Sequence, residues 1–445
     1  MKNKLKNIGE LQMLKIFQIV IMTLVIFSMS VMAQDFDLNK INIHGFLSQG
    51  YMWSTDNNYL ARTSKGSFEF NELGLSFSSP VTDNLRIGLQ LFTRDLGGFG
   101  NNEIKIDWAF ADYSWKDWLG LRAGKMKKPA GLYNETRDVD MLRTSILLPQ
   151  GVYNDSWRDA TLSITGFGLY GTFDLSSAGA VNYQLQVGEA TEINTNSSMN
   201  IVLEDAFFGT FSKYENNTSY VAQAIWETPL DGLRLGYSWA QGGFTAYGKT
   251  GNNAVWQGRT IQAAQQIAAF LGQPLPTTYN EAQVYIDLVN MDIEQTVKDQ
   301  TTSIISAEYT WEDLQLVGEY TFMSATQVSN LQPDPTTTEI VGFYGGISYD
   351  VSELISVGSY YSVNYPDNND KDGKKVNVLR GEPVSNGWAK DIALSLKLNL
   401  NQYWTLKAEG HLIDGTANLY PFDQDDPNNV EKNWNLLLAK VTYNF

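Results

Sequence analysis

The residues best placed to act on a solute are nine charges between positions 86 and 143. They are Arg86, Arg94, Arg122, Lys128, Glu135, Arg137, Asp138, Asp140 and Arg143. The first four are basic, and the acidic members follow on a segment rich in bulky apolar residues. A basic wall facing an acidic loop makes a transverse field. Polar solutes align with such a field, and low-dielectric walls focus it. The same charges could instead pair with one another and pin the segment. Arg137 and Arg143 are close in sequence to Asp138, Asp140 and Asp155, so both readings stand.

Bond-making chemistry has fewer candidates. Cysteine is absent, which excludes thiolate metal sites and a cysteine nucleophile. A hydroxyl nucleophile needs an activating base, commonly histidine. The chain has two histidines, His44 and His411, both in strand-like segments. An enzyme is therefore not expected, nor is a cofactor. Lys407, Glu409 and His411 alternate along one strand, with Lys397 on the strand before. They read as hydration of a wall and as cross-strand pairs. The two histidines would be neighbours if the first and last strands meet, which leaves a two-histidine metal site as an alternative to the expected absence of metal. The acidic run Asp423–Glu431 lacks the glycine and terminal spacing of a calcium loop, so it reads as a solvated loop.

The elements that must position these residues are strands. Leu85, Ile87, Leu89 and Leu91 alternate with Arg86, Gly88 and Gln90. Ile392, Leu394, Leu396 and Leu398 alternate with Ala393, Ser395 and Lys397. A period of two with one apolar face is a strand signature. About sixteen such strands recur, near 40–53, 68–79, 85–94, 103–115, 119–126, 162–173, 181–188, 220–228, 233–244, 301–311, 314–325, 339–349, 355–364, 389–399, 404–414 and 433–445. The connections between them alternate short and long, so every tight turn falls at one end. Outer-membrane barrels have that asymmetry, whereas Greek-key sandwiches mix connections at both ends. The fold class is therefore all-β: a transmembrane antiparallel barrel with short periplasmic turns and long outer loops. The longest connections are 127–161, 189–219, 245–300 and 365–388. Helical spacing marks Arg259–Leu271 and Glu281–Ile293 within 245–300.

Both chain ends agree. Lys2, Lys4, Lys6 and Lys15, the apolar run Ile16–Phe27 and the small-residue site at Val31-Met32-Ala33 read as a cleaved signal peptide over 1–33. One barrel domain over 34–445 remains. The formal charge is −17, and the leader carries three net positive charges, so the remainder is near −20. That excess argues against nucleic acid or an anionic surface as partner. Phe445 closes an alternating strand (Leu437, Ala439, Val441, Tyr443) expected to seal against the first strand near Ile41 and Ile43.

The run Leu121-Arg-Ala-Gly-Lys-Met-Lys-Lys-Pro-Ala-Gly-Leu-Tyr-Asn-Glu-Thr-Arg-Asp-Val-Asp, with Arg143-Thr-Ser-Ile-Leu-Leu-Pro-Gln-Gly-Val-Tyr-Asn-Asp after it, resembles the Gram-negative porin superfamily. Glu409-Gly-His-Leu-Ile-Asp-Gly-Thr-Ala-Asn-Leu resembles the same group's penultimate strand. The resemblance spans the general-diffusion and phosphate-selective porins. It implies a homotrimer of barrels in the outer membrane, each with its own pore, and assembly by the barrel-assembly machinery. It also implies that the third long loop folds into the lumen as a constriction. Independently, Leu142, Ile146, Leu147, Leu148, Val152, Tyr153 and Trp157 suggest that 127–161 packs on the inner wall. The expectation is a channel for passive diffusion of small hydrophilic solutes and ions. A solute-specific porin for phosphate, other anions or sugars is the alternative. A plugged structural or adhesin barrel is kept open by the long fifth loop.

Overall fold

The computed structural model describes residues 40–191, 193, 198–207, 209–250, 268, 272–275, 291–330, 334–380, 382–426 and 429–445. Strand alternation is satisfied by a single closed sheet. Its strands are β1 (Asn42–Ser54), β2 (Phe70–Pro80), β3 (Leu85–Leu96), β4 (Lys105–Lys116), β5 (Leu119–Lys127), β6 (Ser163–Asp174), β7 (Ala180–Ala190), β8 (Gly209–Asn216 with Thr218–Glu227), β9 (Leu233–Thr250), β10 (Asp292–Trp311), β11 (Leu314–Ser329), β12 (Thr336–Asp350), β13 (Ile355–Tyr365), β14 (Ala389–Asn399), β15 (Trp404–Gly415) and β16 (Asn433–Asn444). Each pairs antiparallel with its sequence neighbours. β1 pairs with both β2 and β16, which closes a sixteen-stranded barrel. Closure removes the two free edges that an open sheet of this size would expose.

The pleat sorts the side chains by face. Ile87, Phe167, Ile305, Ile392, Leu394 and Leu412 point outward and are exposed on the isolated chain. Each gains roughly 1.5–3 kcal/mol when withdrawn from water, so a continuous belt of them calls for a bilayer around it. Outward aromatics gather at the short-turn end, among them Trp115, Trp118, Trp226, Trp311 and Trp404. That is where an interfacial girdle belongs. Among the described residues, no helix is long and apolar enough to cross a membrane.

Two expectations change. The fifth long connection is shorter than 245–300, because β9 runs on to Thr250 and β10 begins at Asp292. Ala246, Ile293 and Val297 in that extension, with Phe244 just before it, join the apolar cluster that holds the helix Ser198–Phe207, so the hairpin has a partner and continues. Likewise 189–219 is not a plain loop, since it holds that helix and the first half of β8. Phe445 seals against β1 as expected, with its backbone bonded at Gly45, two residues along from Ile43 (N–H to O distances of 2.9 and 3.0 Å). A Cβ at residue 45 would sit 2.5 Å from the Phe445 ring, so only glycine leaves room there. Of the helix expected over Arg259–Leu271, Ala268 is described and is helical; most of Glu281–Ile293 and all of 1–33 lie outside the described residues.

Candidate functional site

The connection between β5 and β6, residues 128–162, lies inside the barrel. Its base closes through Lys128 N–H on the Leu162 carbonyl at 2.8 Å. Pro149 turns the chain, with Val152 and Tyr153 N–H on its carbonyl. Asn154 caps the next turn by accepting Ser156 N–H at 2.9 Å, and a short helix, Arg158–Thr161, leads into β6. These local bonds fix a compact segment whose two sides present charge.

One side is held by the near wall. Arg158 donates to Asp107 on β4 at 2.6 Å and to Asp138 on the loop at 2.7 Å, and it lies over the Phe92 ring. Lys127 adds a second cation to Asp138 at 2.8 Å. Burial alone would raise the Asp138 carboxyl, but Arg158 and Lys127 hold it well below the usual carboxylate range. Arg94 donates to the Asp155 carbonyl and to Asp159, which also binds Lys105. Burial would raise Asp159, yet Arg94, Arg158 and Lys105 keep it depressed. Arg137 pairs with Asp155 at 2.9 Å. Glu135 accepts Gln184 of β7, and burial raises its pKa. Lys128 donates to the Ala160 carbonyl, and burial pushes its ammonium down to about 8.

The other side reaches across to the far wall. Gly131 N–H donates to Ser238 of β9 at 3.0 Å, and Leu132 N–H to Glu319 of β11 at 2.9 Å. Tyr153 and Tyr344 hydroxyls also donate to Glu319. Gly151 N–H meets Ser362 of β13 at 3.1 Å. Glu409 of β15 accepts both Ile146 N–H (2.7 Å) and Leu147 N–H (2.9 Å). Lys407 donates to the carbonyls of Asp140 (2.7 Å) and Ser145 (2.8 Å). The Asp140 carboxylate meets Lys440 and Thr442 of β16 at 2.8 Å each and Arg143 at 3.3 Å. Burial would raise Asp140, but Lys440, Lys407 and Arg143 drive it well below the usual range.

Around this loop, inward side chains on six strands of the wall are buried. Ser48 on β1, Gln90 on β3, Gln186 on β7, Glu308 on β10, Tyr344 on β12 and Lys407 on β15 each expose less than a tenth of their surface. Toward the long-loop end, Ile146 and Leu147 join an apolar cluster with Met52, Phe70, Leu436 and the helix residues Leu203 and Phe207. This is the packing of a protein core, built inside a barrel.

The nine expected residues therefore separate. Arg86 remains largely exposed on the inner face, with Asp112 at 3.2 Å. Arg122 shares Asp112 and is sandwiched between the Phe110 and Tyr170 rings. Arg94, Arg137, Asp138 and Asp140 are buried in direct ion pairs, so Arg94 does not face the loop across water. Lys128 and Arg143 serve the loop's own bonds, and Glu135 ties the loop to β7 through Gln184. Leu142, expected to pack, is 63% exposed, while Ile146, Leu147, Leu148 and Tyr153 are buried as expected. Lys407, Glu409 and His411 hold the loop or its anchor rather than hydrating a wall. His411 lies between Asp391 (2.9 Å) and Glu409 (3.0 Å), one carboxylate on each ring nitrogen. The histidine pair does not form. His411 is opposite Leu436, which is opposite Ser54, ten residues along β1 from His44. At about 3.3 Å per residue that is roughly 33 Å. Among the described residues, no group of three acidic or histidine side chains could hold a metal ion.

Lys440, Glu319, Asp391 and Arg158 were not singled out by the sequence. The first three had a signal: an ionisable residue at an inward position in mid-strand, opposite an apolar stripe.

No family model matches the chain. An uncharacterised protein of Aquifex aeolicus is 25% identical over 142 residues, which cover 31% of this chain and 30% of that protein. The chain thus matches about a third of that relative's length. Solved structures match far more. The outer-membrane channel DcaP of Acinetobacter baumannii superposes with a TM-score of 0.51 at 10% identity, over 91% of this chain and 97% of that one. An anion-selective porin from Comamonas acidovorans gives 0.51 at 12% identity, over 91% and 99%. Salmonella typhi OmpF, solved in complex with daunomycin, gives 0.50 at 13%, over 91% and 97%. The fold is that of the Gram-negative outer-membrane porins. Their barrel is the architecture in which a lumen-crossing segment and an apolar exterior have a common reason, because the protein must be wet inside and greasy outside.

Proposed function

We propose that this chain is an outer-membrane porin, a passive channel for small hydrophilic solutes and ions. One observation carries the reading: the third connection enters the barrel and is bonded to the wall on its far side. A barrel that served only as a membrane anchor would gain nothing from so many buried charges, each costly to desolvate without its partner. The short turns then lie in the periplasm and the long connections outside. Arg86 and Arg122 flank the route on the short-turn side of the loop and act on solute charge there. A homotrimer assembled by the barrel-assembly machinery belongs to the same reading. A hydrolase does not fit, because both ring nitrogens of His411 are taken by carboxylates.

The burial of Ser48, Gln90, Gln186, Glu308, Tyr344 and Lys407 around the loop favours a second reading, a barrel plugged for good. Planar-bilayer recording of the purified, folded protein separates the two. Unitary conductance steps, in triplets for a trimer, support the channel. A folded protein that never conducts, even with the loop's anchors removed, overturns it.

A further inference from the structure

We propose that the short turns form an acidic rim that filters charge at the periplasmic mouth, so that cations are favoured over anions there, away from the third connection. The inference rests on the channel reading above and names the class of solute that this mouth admits.

Six of the seven short turns carry an aspartate at or beside the turn: Asp83, Asp117, Asp174, Asp231, Asp313 and Asp350. Glu312 and Glu353 share the last two of these turns, and the seventh, 400–403, is uncharged. All eight carboxylates are exposed, and among the described residues none is in an ion pair. Lys40 and Lys116 are the basic residues at this edge, which leaves six net negative charges. Two of the aspartates also face inward. Asp174 lies four residues along β6 from Tyr170, whose ring packs on Arg122 inside the barrel. Asp350 lies six residues along β12 from Tyr344, which donates to Glu319. A side-chain period of two puts both carboxylates on the lumen face.

The layer above offers no counterweight. Arg86 and Arg122 share Asp112, while Arg234 pairs with Glu308 and stands opposite Glu227. Cations and carboxylates balance there, so the field at this mouth belongs to the rim. The turns are also close enough for their fields to merge. Adjacent hairpins are two strand spacings apart, about 10 Å, and the Debye length at about 0.1 M salt is likewise about 10 Å. Like charges set around a low-dielectric wall draw counter-ions into the opening. At about 1 M salt the screening length falls to about 3 Å, and each turn then acts alone.

The test measures reversal potentials of the full-length barrel in planar bilayers under a tenfold KCl gradient, with heat-modifiable migration on gels as the check of folding. The variant carries Asp83→Asn, Asp117→Asn, Asp174→Asn, Asp231→Asn, Asp313→Asn and Asp350→Asn together. Asparagine keeps the oxygen with which residue 174 accepts Ser176 N–H. At about 0.1 M salt the wild type should favour potassium, and the variant should lower the potassium-to-chloride permeability ratio at least twofold. At about 1 M the two proteins should converge, because screening isolates the turns. Neutralising an equal number of exposed aspartates on the outer loops should lower the ratio less. Anion preference in the wild type, an unchanged ratio in the variant or an equal loss in the outer-loop control overturns the rim and leaves the channel reading intact. Folded wild type and variant that never conduct overturn the channel reading itself, and the rim with it.

Discussion

Asp140 and Lys440 lie 2.8 Å apart, one on the third connection and the other on the last strand. Both are buried, and Lys407 and Arg143 complete the cluster. Removing one partner of a buried pair costs about 3–5 kcal/mol because the other charges are stranded. Asp140→Asn should therefore unseat the loop while leaving the strand ladder whole. Limited proteolysis of the folded barrel reads this directly: new cleavage is expected within 136–155, with strand content by circular dichroism unchanged.

Glu409 makes a narrower prediction. It is the acceptor for two loop amides, and Glu409→Ala leaves both without a partner. An orphaned buried donor costs about 1–3 kcal/mol. Hydrogen exchange at Ile146 and Leu147 should rise by one to two orders of magnitude, while Val152 and Tyr153, bonded to the Pro149 carbonyl within the loop, change less. Equal acceleration at all four amides would show that the segment unfolds rather than detaches.

Loop seating should depend on pH through groups of opposite sign. Asp138, Asp140 and Asp159 have folded pKa values below their ordinary one. Their contribution is complete above about pH 4, the ordinary Asp value, and is lost as pH falls through the depressed folded values. Lys128 acts in an alkaline window, its ammonium lowered to about 8 from 10.5. Between those values the released loop binds more protons than the seated one, so seating strengthens as pH rises. Exchange rates at Ile146, corrected for intrinsic chemistry, should be faster below 4 and slower above 8; between them Glu135, raised by burial, loosens the seating as pH climbs past its ordinary value. Lys128→Met should remove only the alkaline limb.

Arg86 and Arg94 share the inner face of β3 but should behave differently. Arg86 is exposed, so Arg86→Ala should shift the reversal potential in a salt gradient toward cations without loosening the loop. Arg94 is buried against Asp155 and Asp159. Its replacement by Ala should raise proteolysis of the loop, with any change of selectivity following from that. Matching effects of the two substitutions would contradict their placement.

Gly45 faces the Phe445 ring where the barrel closes, and Gly45→Val should lower the temperature of barrel unfolding on gels by displacing that ring. Gly345, with open space around its Cβ position, should accept Ala with little change.

Alternation of apolar and polar residues, with turns of two to five residues, determined the strands, their number and the closure of the barrel. A side-chain period of two is local, and a bilayer outside with water inside leaves one way to satisfy it. The apolar content of 146–153 likewise marked a segment that does not belong in water. What the sequence did not decide is which charge meets which. Asp140 has Arg143 three residues away, but its partners Lys407, Lys440 and Thr442 come from the opposite wall, and Glu319 finds Tyr153 only when the loop has crossed the lumen. Ion pairs carry no periodicity, and their energy depends on distance and burial that only closure of the barrel supplies. The fold was written in the pleat, whereas the filling of its lumen was decided by contacts between residues far apart in the chain.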